Sequence, residues 1–279
     1  MGTSSIYNGP GNRNPLLPEG FEDDYVDSEE LEQDKNEPKE EENKPKGRDD
    51  NNDAILSGSW QETKKSMSQF INGTSNNKGR IVGNYVRASG GSRVASSRAV
   101  SGRNTTVNLG SFLSNILRDG IYRTLQSLQI DYVGKSVEDL LSEIVNFISP
   151  NSNTKEDIVA RNALIEVECK MYELIIENGK DIESLNTLNE EMFDEIMNSY
   201  VTSYIFEGML NDLQSRFEMY GDDTKVAQQK EREFKEFIEI SVELKLRDVR
   251  LSKVDYQDKS IHSIVKEIYR ECYYILEVL

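Results

Sequence analysis

Histidine occurs once in the 279 residues, at His262, and cysteine twice, at Cys169 and Cys272. A zinc site draws about four nitrogen or sulfur ligands from close pairs, so these isolated residues argue against one. His262 falls near the start of the last helix and reads as an exposed residue there, not a catalytic base. Thiols this few, with no secretory leader pattern, point to a reducing cytoplasm. No apolar run approaches the ~18 residues of a membrane-spanning helix. Myristoylation of the amino terminus wants Ser or Thr at position 6 and finds Ile6. A P-loop reads G-x-x-x-x-G-K-[ST]. The stretch Gly73 to Gly79 (GTSNNKG) has no second glycine ahead of its lysine, which speaks against nucleotide hydrolysis. The acidic pairs Glu190-Glu191 and Asp222-Asp223 read as helix starts or solvated faces. No alternating stretch bounded by hairpin signals suggests a strand.

Acidic side chains are absent from residues 63–118, which carry 9 basic ones. The flanks are the reverse. Residues 1–62 hold 6 basic and 17 acidic side chains, residues 119–279 hold 18 and 33, and the whole chain has a net charge of -17. Nucleic acid and anionic membranes are repelled by that average, so any polyanion contact must be local. Arg80, Arg87, Arg93, Arg98 and Arg103 recur among Gly, Ser and Val. Two readings stand for them: a patch for phosphate or an acidic partner surface, or self-complementarity with the chain's own acidic helices. Binding of nucleic acid through residues 80–103 has little aromatic support, since Tyr85 within them and Phe112 just beyond are the residues that could stack on bases.

Apolar spacing predicts an all-α body, a helical bundle without a repeat of fixed period. A first helix carries Trp60, Met67, Phe70 and Ile71 behind candidate caps Ser57 and Ser59. A second carries Ile81, Val82, Tyr85 and Val86 and is interrupted at Gly90-Gly91. A short piece covers 92–101, a polar turn covers 102–106, and Ser111 opens a helix ending near Gly120. Ser136 with Asp139 and Thr154 with Asp157 give capping signals. The helix behind Thr154 takes Ile158, Leu164, Ile165, Cys169, Tyr172, Leu174 and Ile176 as its apolar face and stops at Gly179. Long helices follow over 188–220 and 225–251, the former weakened modestly by Gly208. The last runs from Ser260 to the end.

Ahead of the body lie an acidic linker, 21–55, and an arm, 1–20. The linker has almost nothing apolar after Leu31 and includes Pro38 and Pro45, so it is expected to be disordered and extended. The arm, MGTSSIYNGPGNRNPLLPEG, cannot form a regular element with Pro10, Pro15, Pro18 and four glycines. Its charged side chains are Arg13 and Glu19, beside the apolar Ile6, Tyr7, Leu16 and Leu17. It reads as a segment for a partner to grip. Gly2 is small enough for Met1 to be trimmed, exposing an unhindered glycine amine. With a reference pKa of ~7.7–8.0, about 10–20% of that amine is neutral and nucleophilic at pH 7. The segments are therefore the arm 1–20, the linker 21–55, a basic helical stretch 56–120 and an acidic helical body 121–279.

Several of these residues form a composite pattern. Met1-Gly2-Thr3-Ser4, Tyr7-x-Gly9-Pro10-Gly11 and Pro15-Leu16-Leu17-Pro18 resemble the start of QatB proteins, components of the four-gene Qat anti-phage defence systems of bacteria. Tyr85-Val86-Arg87, Gly90-Gly91, Arg98, Gly102 and Leu109-Gly110-x-Phe112-Leu113 look like the same family. The resemblance implies a cytoplasmic accessory protein without a catalytic centre or bound cofactor. Its implied partners are a P-loop ATPase, a QueC-like enzyme of the 7-deazaguanine pathway and a TatD-like metal-dependent nuclease. QueC-like enzymes use ATP to activate a deazaguanine carboxylate toward an amine. The resemblance therefore marks the Gly2 amine as acceptor of a deazaguanine-type group, with Thr3, Ser4 and Tyr7 as hydrogen-bonding residues and Leu16 and Leu17 as anchors. The alternatives are a scaffold or regulator of the ATPase, with the arm used for docking alone, and a nucleic-acid binder through 80–103.

Overall fold

Eight consecutive residues, Ser199–Phe206, are all buried. A helix buried on every side over this stretch sits inside its domain, and this one, α8, is the axis of the body. The computed structural model describes residues 60–279 except 152, 180 and 220–223. The chain divides into two units, Met1–Ile55 and Leu56–Leu279, and the described residues belong to the second. The arm 1–20, the linker 21–55, the expected caps Ser57 and Ser59 and the pair Asp222-Asp223 lie outside the described residues. Within them the fold is all-α: α1 Trp60–Ile71, α2 Lys78–Ala88, α3 Ser92–Arg98, α4 Val100–Asp119, α5 Ile121–Ser127, α6 Val137–Ile148, α7 Lys155–Asn178, α8 Glu190–Met219, α9 Thr224–Val249 and α10 Ile261–Val278. Two 3-10 turns, Ile182–Thr187 and Leu251–Lys253, join longer helices.

α8 packs against α7, α9, α1 and α4, and α10 closes the other side against α2, α3, α4 and α9. Phe193, Met197, Tyr200, Met209 and Leu213 of α8 and Val265, Tyr269, Cys272 and Leu276 of α10 belong to one continuous core. The local signals at α6 and α7 are realised. Ser136 accepts a bond from the Asp139 amide, and Thr154 and Asp157 form a reciprocal capping box. Gly179, at φ +141°, ends α7.

Two expectations are corrected. The polar stretch 102–106 is helical, and Ser111 lies inside α4 rather than at its start. The cap that makes this possible comes from 55 residues away: Glu156 Oε1 accepts from the Ser101 amide at 2.7 Å and the Gly102 amide at 3.4 Å. A carboxylate on the first amides of a helix satisfies orphan donors and favours the helix dipole. Thr105 and Thr106 are then buried, and Thr106 Oγ1 sits 2.9 Å from Tyr269 Oη. The second correction is the buried face of α7. Ile158, Ile165 and Ile176 are exposed, and Val159, Ala160, Ala163, Leu164, Val167, Met171 and Ile175 face the core. Small alanines let α7 approach α8, which shifts the seam away from the bulkier residues.

Distant caps recur. The Glu277 carboxylate accepts from the Ser92 amide at 2.9 Å at the head of α3. Asn186 Oδ1 accepts from the Ile121 amide at 2.8 Å at the head of α5. These bonds tie short helices to elements far along the chain and hold the body as one unit.

Candidate functional site

The candidate arm residues Gly2, Thr3, Ser4, Tyr7, Leu16 and Leu17 lie outside the described residues. The five arginines are spread over α2, α3 and α4, and three of them bond to carbonyl oxygens. Arg87 Nη1 donates to Glu277 O at 2.6 Å, closing the last turn of α10. Arg103 donates to Ala99 O at 3.0 Å and Ser97 O at 3.3 Å, and Arg98 to Ser89 O at 3.4 Å. Among the described residues none of the five has a carboxylate within 4.0 Å. Their ties to the body run through helix ends and not through its acidic faces. Arg80 and Arg93 are exposed.

The inner motif is built into packing. A Cβ on Gly102 would stand 2.4 Å from Tyr204 Cζ, and one on Gly110 would stand 2.0 Å from Tyr256 Cε1. Gly90 and Gly91 turn the chain at φ +97° and +83°, a region that favours glycine. His262 is exposed near the head of α10, as its position suggested. Cys169 is exposed, and burial pushes the Cys272 thiol up to about 12.

A cleft of about 260 Å³, with both polar and apolar lining, lies among residues of α1, α2, α3, α7, α8 and α10. Trp60 stands at its rim, 40% exposed, edge-on to Tyr85 at 5.5 Å between ring centroids. Tyr85 donates to Asp212 Oδ2 at 2.8 Å, and Lys155 donates to Asp212 Oδ1 at 2.6 Å. Tyr204 donates to Glu156 Oε1 at 2.8 Å, the same oxygen that caps α4. Burial first, then the Asp212 carboxylate and nearby Tyr273, holds the Tyr85 hydroxyl well above the usual phenol range. The Tyr204 hydroxyl is also held well above that range, by burial, by nearby Tyr273 and by Glu156. Both phenols therefore stay protonated and serve as donors. Asp212 accepts at both oxygens, and Glu156 Oε1 accepts from Tyr204 and the head of α4.

Tyr273 of α10 also lines the cleft and is buried. Its hydroxyl lies in the field of both Glu156 and Asp212 yet has no hydrogen-bond partner among the described residues. Arg98 borders the opening, and Ala95, Ala99, Val159 and Gly208 form an apolar floor. Sequence reasoning named Arg98 and Tyr85 for other reasons and did not gather the cleft residues, because they come from six helices. Gly208 was the one local signal: a glycine inside a helix with no turn to explain it.

Among the described residues no group of three or more His, Cys, Asp and Glu is placed to hold a metal ion, and no helix is long and apolar enough to cross a membrane. The model of the family described as "Qat anti-phage system associated protein QatB" matches residues 90–276, well over half of the chain. The match opens at the Gly90-Gly91 turn and ends in α10. No curated protein matches, and no solved structure does.

Proposed function

The chain belongs to the QatB family of Qat anti-phage system associated proteins, and on that premise we propose that it is a non-catalytic component presenting its amino-terminal arm to a QueC-like partner of the same system. The P-loop ATPase and TatD-like nuclease are the other partners in this reading. The observation that carries it is the pairing of a family-matched helical body with a Met1-Gly2 arm set apart by an acidic linker of about 35 residues.

Small residues at the tip, Gly2, Thr3 and Ser4, need little room in a deep pocket. The reaction proposed is acylation. The Gly2 nitrogen attacks a deazaguanine-type carboxylate that ATP has activated. An amide C–N bond forms, the activating group leaves with one former carboxylate oxygen, and the amine gives its proton to solvent. Tyr7, Leu16 and Leu17 hold the arm in place. Ordering such an arm has an entropic cost that limits its affinity. A second contact from the body raises the effective concentration and offsets it.

The test is copurification and phage protection in cells carrying the whole system. The full chain is expected to retain the QueC-like enzyme, and deletion of residues 2–18 to release it. Gly2→Leu, which also blocks removal of Met1, is expected to abolish protection. Retention of the enzyme by the deletion variant, or unchanged protection by Gly2→Leu, would refute the proposal.

A further inference from the structure

We propose that the cleft beside Trp60 is a binding site for a planar aromatic group bearing a carboxylate, a function separate from the arm chemistry proposed above. Four features of the cleft carry this assignment.

The first is Gly208. Glycine inside a helix is unfavourable relative to alanine, and elsewhere in the body a neighbour accounts for it. Rings fill the space at Gly102 and Gly110, Leu279 stands against Gly79, and the Arg87 side chain lies over Gly83. At Gly208 the nearest atom to an added Cβ is Val159 Cγ1 at 4.0 Å. Among the described residues nothing uses this vacancy, and Gly208 lines the cleft.

The second is Tyr273. It is 8% exposed, lines the cleft, and has no hydrogen-bond partner for its hydroxyl among the described residues. The ring is buried while the hydroxyl is not among the sealed, unpartnered polar atoms of the described residues, so it is open to the cleft, where a ligand oxygen would take the place of water beside it.

The third is the aromatic wall. Trp60 presents its ring at the rim and meets the edge of Tyr85, with Tyr204 and Tyr273 deeper inside. A flat ring fits such a slot by stacking and edge contacts.

The fourth is charge. Asp212 is matched by Lys155 and Tyr85, and Glu156 by Tyr204 and the head of α4. Arg98 has a 3.4 Å carbonyl contact and no carboxylate within 4.0 Å among the described residues. The cation left over selects an anionic substituent over an ammonium one. The shared chemistry has two sources, a free aromatic acid or an aromatic residue next to an acidic one in a partner's peptide.

The chain's single tryptophan is Trp60, so its emission reports on the cleft directly. The full-length protein would be titrated with 4-hydroxyphenylacetate, its neutral analogue 4-ethylphenol, the cation tyramine, and the capped dipeptide Ac-Asp-Tyr-NH2. Saturable quenching or a spectral shift is expected with the acid or the dipeptide. Whichever binds more tightly identifies the source.

Relative to the parent, Gly208→Leu is expected to weaken that response at least about tenfold while the thermal midpoint stays the same or rises. Arg98→Gln is expected to cost about tenfold for the acid and nothing for 4-ethylphenol. Tyr273→Phe, which removes one oxygen, is expected to cost about threefold to tenfold. Gly208→Ala gives a milder filling if the leucine variant does not fold. Three results would overturn the assignment: no saturable change with any probe at millimolar concentration, undiminished binding in a folded Gly208 variant, or tyramine binding as tightly as the acid.

Discussion

Alanine in place of Gly110 should unfold this body more readily, although alanine is the better helix former. The added Cβ would stand 2.0, 2.3 and 2.5 Å from Cε1, Cζ and Cδ1 of Tyr256. That ring cannot swing aside cheaply. Tyr256 is 5% exposed, donates to Leu251 O at 3.1 Å and packs on Phe193 at 5.9 Å. Overpacking costs about 1–3 kcal/mol. Disturbing the hydroxyl bond adds about 1 kcal/mol, and loosening the ring pair about 0.5–1.5 kcal/mol. The helix preference for alanine returns about 1 kcal/mol. The net expectation is a loss of about 2–4 kcal/mol, read by urea unfolding of the full chain followed by circular dichroism. Tyr256→Ala alone is expected to cost about 3–5 kcal/mol. Adding Gly110→Ala to it should then cost nothing further, because the ring that clashed is gone. If Gly110→Ala matches the parent, or if the two losses simply add, the close approach of α4 to Tyr256 is wrong. Gly208→Ala is the built-in control. The same substitution in open space should stabilise by about 0.5–1 kcal/mol.

Other perturbations test other parts of the structure. Glu156→Gln keeps the shape of the α4 cap but removes its charge and is expected to destabilise by about 1–2 kcal/mol in the same urea assay; Glu156→Asp, too short to reach the Ser101 amide, should do no better. Burial, with Glu166 and Glu231 adding to it, raises the Glu207 carboxyl above its usual range. The folded state therefore disfavours the charged form, and stability is lost as pH rises from the unfolded value of ~4.3 through the raised folded one. Glu207→Gln should thus be more stable than the parent at pH 7 and indistinguishable from it at pH 4 in urea titrations; equal stability at both would refute the buried placement. Cys169 should react with a thiol-specific chromogenic disulfide in the native protein while Cys272 reacts only after unfolding, and two fast thiols would contradict the packing of α10.

Much of the fold is written locally. The capping residues at 136 and 154, the glycine breaks at 90–91 and 179, and the spacing of Met67, Phe70, Ile81 and Tyr85 each act within one or two helical turns, where spacing alone is informative. The head of α4 is different. Its cap is Glu156 and its first buried turn leans on Tyr204 and Tyr269, so a polar stretch that reads as a turn becomes a helix through contacts the local pattern does not contain. The α7 face failed for a related reason. Apolar spacing selected Ile158, Ile165 and Ile176, while the requirement for close approach to α8 selected Ala160 and Ala163. The cleft was legible only at Gly208, and then as a weakness in a helix. Its rings and charges come from six helices, and no spacing rule joins Trp60 to Tyr273.

The first peptide of the chain carries the proposed acceptor amine. Tryptic digestion of protein isolated from cells that also carry its Qat partners would release the fragment ending at Arg13, and mass spectrometry would read its amino terminus. The account predicts loss of Met1 and an added deazaguanine-type mass on the Gly2 nitrogen, absent when the QueC-like enzyme is deleted. An unmodified Gly2 in every preparation from the complete system would contradict it.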